Sequence, residues 1–545
     1  MNHRIWIIFF SLCIIFSAAA GPLSTAATTQ SSDYEDLLQF FKEWREFEAP
    51  EFQNGVPDYS AEAMAEQERR IPEFMQRLQS FNTAGWTLPQ RADYEIIRAE
   101  INGLKFNHEV LRPWARIPLF YAVVQTYEAD VPAREVPEID GVLNIFQHSF
   151  PLNEESQAVF KQKLAAIPGV LEQARKNLVE EAGYLWLAGI RQKKGESAAL
   201  GRLAERFQDK QPELAALAQK AQTAVDEYAY WMEQKQPNIE PYSGIGKENY
   251  SRYMKEVHLV PYSWEEQLEL VQRELDRSLT ALAMEEHRNR HLPKLFPAAS
   301  LEERRDMEKK AVAAFLDFMR SEDIFRVPDY MHLDDEVGSY TPPEKLDFFS
   351  HISARDPLPL TCHQIHWLEK QRELRNHHPI RGQALLSKIW DSRAEGLATA
   401  WEELMMQAGI LEGRPRAREL THILLAFRAV RAIGGLKLHS GEWTLEEAID
   451  YAVKTTPRGF VSPDSNTIFN DYMLYLSQPG YGTSYVIGKL QLERLIQDRR
   501  TQLGEDFNQK DFWDDYFSRG VIPASLLRWE MTGLDDEMQE LWKQP

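Results

Sequence analysis

Apolar side chains recur every three to four positions along most of this chain, the spacing of helices that bury one face. In residues 35–46, Leu37, Leu38, Phe41 and Trp44 fall on one side. Three capping boxes predict helix starts: Ser263 with Glu266, Ser300 with Glu303, and Thr444 with Glu447. In each, the hydroxyl accepts from a free N–H of the first turn and the acid reaches back. The period-two alternation of half-buried strands is scarce, and the sequence holds no tandem repeat or low-complexity block. The pattern predicts a mainly α protein. Proline- and glycine-rich breaks fall at 237–246 and 340–343. The first divides an N-terminal helical lobe, 35–240, from a C-terminal one, 241–545, around a cleft, because chains much above about 300 residues tend to split their cores. A single continuous α-domain is the alternative.

The N-terminus breaks the amphipathic pattern. An apolar run at 5–16 follows Arg4, and Ser17, Ala18, Ala19 and Ala20 precede Gly21. This reads as a secretory signal over residues 1–20, with a Ser/Thr-rich flexible leader over 21–34. The run is shorter than the about 20 residues a membrane span needs; a retained anchor is the rival reading. Leu12 before Cys13 does not fit a lipidation site. The chain is expected to be exported, periplasmic or extracellular, without stable membrane insertion once the signal is removed. Its 83 acidic and 62 basic residues give a net charge of −21, which disfavours nucleic acid and anionic membrane as partners. Beyond the signal only Cys362 remains, so no intramolecular disulfide can form.

Histidine is unevenly spread. Five of the 14 lie between positions 351 and 378: His351, His363, His366, His377 and His378. A helix after Pro359 would place His363 and His366 on one face at i, i+3. Glu395 opens a second predicted helix. Two histidines from one helix and a glutamate from another form the ligand set of many catalytic zinc sites. Zinc peptidases use H-E-x-x-H, in which the glutamate takes a proton from the metal-bound water. Here Gln364 follows His363, and an amide cannot act as that base. The competing reading is a pair of histidines hydrogen-bonded in a polar crevice, with Trp367 and Leu368 in the core. Cys362 reads as buried filler, and His377 and His378 as part of a solvated turn.

A longer series of motifs then resembles a known family, the bacterial domain of unknown function 885, whose members look like helical zinc peptidases. Glu395-Gly-Leu-Ala398 resembles its E-G-W-A. Residues 428–448 (RAVRAIGGLKLHSGEWTLEEA) resemble R-x-x-R…D-x-G-L-H-x-x-G-W-x-x-E-E-A, and 471–488 (DYMLYLSQPGYGTSYVIG) resemble E-V-x-R-Y-x-x-x-P-G-Q-x-x-S-Y-x-x-G. Leu503-Gly504, Phe512-Trp-Asp514, Gly520-Val-Ile-Pro523 and Leu526 resemble the family's ending. Upstream, 112–121 and 246–250 also look familiar, so the resemblance covers nearly the whole chain after the signal. It implies a large helical, zincin-like domain that includes both lobes.

The departures fall on polar positions. Laying the family's H-E-x-x-P-G-H so that its last histidine meets His366 puts its H-E on Leu360 and Thr361; laying the H-E on His363-Gln364 keeps the first histidine but loses the glutamate and the P-G-H, so either way the base is missing. The family's Asp becomes Gly435, its Arg becomes Leu474, and the glutamine of P-G-Q becomes Tyr481. Two readings stay open. One is an exported hydrolase of peptide or amide bonds, with zinc held by His363, His366 and Glu395, Asp471 as base, and His439 or Tyr485 stabilising the oxyanion. The other is a lapsed enzyme that binds a peptide, a small amide-type ligand or a protein partner without turnover.

Overall fold

The computed structural model describes residues 32–126, 142–333, 335, 337–383 and 391–543. The expected signal, residues 1–20, and nearly all of the expected leader, 21–34, lie outside the described residues. The architecture is mainly helical, as the patterning predicts. The helices used below are α1 (Tyr34–Glu48), α2 (Ala61–Gln79), α3 (Leu88–Phe106), α4 (Gly183–Phe207), α5 (Trp264–Arg288), α6 (Leu358–His363), α7 (Ile365–Glu373), α8 (Asp391–Ala408), α9 (Pro415–Ser440), α10 (Asn466–Ser477) and α11 (Tyr481–Leu503). The strands among the described residues are two-residue pairs; the first, Phe52–Gln53 with Val56–Pro57, turns through Asn54 and Gly55, both at positive φ.

Local signals act as read. In α1, Leu37, Phe41 and Trp44 are buried. The boxes at Ser263 and Thr444 close on both sides. At Ser300 the hydroxyl accepts from Glu303 N, whereas the Glu303 carboxylate accepts from the N–H of Ala299. The acid thus reaches one residue further back than the cap.

One apolar cluster of buried side chains extends from Leu37 to Leu541. Residues 237–246, the expected lobe boundary, pack against the end of α9. A Cβ on Gly244 would lie 2.5 Å from the carbonyl oxygen of His439, and Gly246 N donates to the same carbonyl at 2.9 Å. Cross-links between the two halves include Arg381 Nε to Asp93 at 2.7 Å and Trp542 Nε1 to Glu95 at 3.1 Å.

Helix α9 is buried on nearly every face from Ala417 to His439, so its charged residues must find partners inside the protein. Beside it, α8 and α11 cross with their backbones touching. A Cβ on Gly488 would stand 1.8 Å from the Ser392 carbonyl oxygen, and one on Gly396 would stand 2.4 Å from the Gly488 Cα. Only glycine permits this approach. The crossing sets Glu395, next to Gly396, against the first turns of α11, where Tyr481 and Tyr485 project. Among the described residues, no helix is long and apolar enough to cross a membrane.

Candidate functional site

The expected single helix carrying both histidines is broken. α6 ends at His363, Gln364 turns out of helical geometry with ψ of 6°, and α7 begins at Ile365. The two rings still meet edge to face, with centroids 4.9 Å apart. His366 is buried and His363 reaches the surface at one edge. Gln364 lines a groove of about 780 Å³ with Leu360, Thr361 and Trp367.

His363 lies between two carboxylates from α8. Its Nδ1 is 2.9 Å from Glu402 Oε1, and its Nε2 is 3.4 Å from Glu395 Oε2. Glu395 and Glu402 are seven residues apart, two turns along one helix face. Burial and the neighbouring Arg428 press the imidazole toward its neutral form, but the hydrogen bonds to Glu395 and Glu402 prevail and raise its pKa above the ordinary value. Arg428 of α9 grips Glu402 with both nitrogens, at 2.6 and 3.0 Å, and its Nη2 comes within 3.0 Å of His363 Nδ1. This fork-on-carboxylate pair is fully buried. On the other side, the Tyr481 hydroxyl donates to Glu395 Oε1 at 2.6 Å.

One turn further along α9, Arg431 Nη1 donates to Asp471 of α10 at 2.7 Å. Burial pushes the Asp471 carboxyl above its usual range, although Arg431 opposes it. Asp471 is thus an ion-pair partner of Arg431. Tyr485 covers both arginines, its ring centroid 4.9 Å from Arg431 Cζ and 5.7 Å from Arg428 Cζ. Tyr475, Tyr481 and Tyr485 form a continuous aromatic wall, with successive centroids 6.0 and 5.9 Å apart. His439 faces the backbone instead: its Nε2 is 2.9 Å from the Tyr475 carbonyl, its ring lies against Tyr250, and burial lowers its pKa to about 4.

The remaining histidines of the cluster stay apart from this network. His351 stacks on Phe460 at 4.5 Å, and His378 Nδ1 accepts from the N–H groups of Ile380 and Arg381. Cys362 is buried. The structure therefore brings His363, His366, Glu395, Asp471 and Tyr485 into one region and turns His439 toward the Tyr475 carbonyl and Tyr250. Sequence reasoning missed Glu402 and the pairing roles of Arg428, Arg431 and Tyr481. The available signal was two arginines at i, i+3 inside the otherwise apolar run LLAFRAVRAIGGL.

The zinc that the resemblance implies can be tested against this donor set. Among the described residues, no three His, Cys, Asp or Glu side chains converge in a geometry that could hold a metal ion. The Nδ1 side of His363 is taken by Glu402, and the Arg428 cation stands beside it. A divalent cation there would meet a fixed positive charge and compete with a carboxylate already paired. The residues present do not fit a zinc centre.

A family model described as "Bacterial protein of unknown function (DUF885)" matches residues 47–341 and 363–531. The chain belongs to this family. The match stops across 342–362, the stretch that includes Leu360 and Thr361, and resumes at His363. No curated protein matches the chain. Two solved structures share the fold. One is a candidate lipoprotein of unknown function from Shewanella oneidensis, with a TM-score of 0.65 and 14% identity, covering 92% of this chain and 100% of that one. The other is a candidate lipoprotein from Colwellia psychrerythraea, again with a TM-score of 0.65 and 14% identity, covering 92% and 97%.

Proposed function

We propose that this DUF885 member is an exported protein that has lost the zinc-hydrolase chemistry its family resemblance implies and binds a peptide or small amide-type ligand at the His363–Arg431 cluster. The observation that carries the reading is the set His363–Glu402–Arg428: the candidate ligand histidine turns Nδ1 to a carboxylate that a guanidinium already holds. Gln364 in place of a base supports the same reading, as does the interruption of the family match over 342–362. The wall of Tyr475, Tyr481 and Tyr485 supplies aromatic surface and hydroxyl donors of the kind that hold peptide groups.

Export is supported by the apolar run at 5–16 and its small-residue flank; fold neighbours described as candidate lipoproteins agree with it. The destination is the periplasm or the extracellular space. The net charge of −21 argues against nucleic acid.

A second reading, hydrolysis without metal, draws on one observation: an imidazole held between two carboxylates is a positioned general acid. Calorimetric titration of a tripeptide mixture, with and without a chelator, tests the first reading. Binding that is indifferent to chelator and leaves the peptides intact supports it. Binding that needs zinc, or cleavage of the mixture, overturns it.

A further inference from the structure

This inference rests on the ligand-binding reading and names the ligand's chemistry. Arg431 is 2% exposed yet uses only Nη1, on Asp471; its Nε and Nη2 have no hydrogen-bond partner among the described residues. These two nitrogens form one edge of the guanidinium and point two parallel N–H donors the same way. The Tyr475 hydroxyl, on a side chain 1% exposed, also lacks a hydrogen-bond partner there. The Tyr485 ring centroid lies 4.9 Å from Arg431 Cζ, and the Tyr475 ring packs on Gly435, one turn along the same helix from Arg431. Buried donors are almost always satisfied, and a group of them left open in one place calls for a missing acceptor.

The chemistry of that acceptor follows from geometry and charge. A guanidinium edge with two parallel donors matches the two oxygens of a carboxylate. Existing charges balance in pairs: Arg428 with Glu402, Arg431 with Asp471, and His363 with Glu395. A dianion such as phosphate would upset that balance by two charges, a monoanion by one. Gly482 and Gly435 hold the Tyr475 ring in place, since a Cβ at either would come within 2.6 or 3.1 Å of it.

We propose that the Nε–Nη2 edge of Arg431 and the Tyr475 hydroxyl form a carboxylate subsite that takes the free C-terminus of the bound peptide.

The test uses the full chain after signal removal and two pools of N-acetylated tripeptides made without Asp or Glu, one with free C-terminal acids and one with C-terminal amides. The acid pool is expected to bind at least about tenfold more tightly than the amide pool, the size of a charge-assisted hydrogen bond. Tyr475→Phe removes only an unpaired hydroxyl. It should keep the ligand-free melting temperature and reduce the preference for acid over amide about tenfold. Arg431→Lys keeps the charge beside Asp471, loses the paired edge, and should erase the preference for acid. If both pools bind equally and Tyr475→Phe changes nothing, the open donors hold ordered water only and the subsite is wrong, while the ligand-binding reading stands. If neither pool binds, that reading fails and the subsite with it.

Discussion

Gly488 and Gly396 touch backbone to backbone where α11 crosses α8, and this contact places the Glu395 carboxylate beside the tyrosine wall. A methyl group on Gly488 would run into the Ser392 carbonyl at 1.8 Å. Neither helix can yield without moving Glu395 away from Tyr481. Gly488→Ala is therefore expected to destabilise the protein by about 3 kcal/mol or more, at the upper end of overpacking costs. Thermal and urea unfolding measure this; a change under about 0.5 kcal/mol would mean the crossing is looser than described.

The Tyr481 hydroxyl donates to Glu395 at 2.6 Å. Tyr481→Phe deletes that donor and leaves a buried carboxylate oxygen short of a bond. The expected cost is about 1 to 3 kcal/mol. Glu395→Gln in the Tyr481→Phe background should recover part of it, because a neutral amide tolerates burial better. Equal unfolding midpoints for wild type and Tyr481→Phe would contradict the contact.

Arg428 and Glu402 form a buried, two-bond ion pair. Removing one partner alone strands a charge, at a cost of about 3 to 5 kcal/mol. Arg428→Leu and Glu402→Leu are each expected to fall in that range. The double variant is expected to lose clearly less than the sum, since no charge remains stranded. Additive losses in the double-mutant cycle would show that the two residues act separately.

Acid should weaken the fold through His258. This side chain is buried, its Nδ1 has no hydrogen-bond partner among the described residues, and burial alone lowers its pKa to about 3 from an ordinary 6.5. Below pH 6.5 the unfolded chain takes up a proton that the folded chain refuses, so stability falls as the pH drops from 6.5 toward 3 and is fully retained above 6.5. Between pH 7 and 4 this one group removes about 3 kcal/mol. His258→Gln should flatten the pH dependence of urea unfolding in that window; an unchanged slope would show that other groups set it.

Much of this was legible in local sequence. The caps at Ser263 and Thr444 depend on residues three apart, and the helical period at 35–46 depends on one face. Motif resemblance singled out Glu395, Asp471 and Tyr485, which the fold brings into one region. What the sequence hid was long-range pairing. Arg428 and Glu402 are 26 residues apart, and nothing local says which acid an inward-facing arginine will find. The break at Gln364 carries no proline or glycine of its own, so two histidines expected on one helix end on two. His439 matches a motif position, yet only packing shows that its Nε2 is spent on the Tyr475 carbonyl. The role of Gly396 and Gly488 likewise depends on a contact between helices separated by many intervening elements.

The central claim is that His363, Glu395, Glu402 and Arg428 form a paired polar cluster and not a metal centre. Zinc content, measured by mass spectrometry on protein lacking residues 1–20 and prepared without chelator or polyhistidine tag, tests it most directly. The account predicts far less than one zinc per chain, even after incubation with zinc, and no change on Glu395→Gln. About one tightly held zinc per chain, lost on Glu395→Gln, would contradict it.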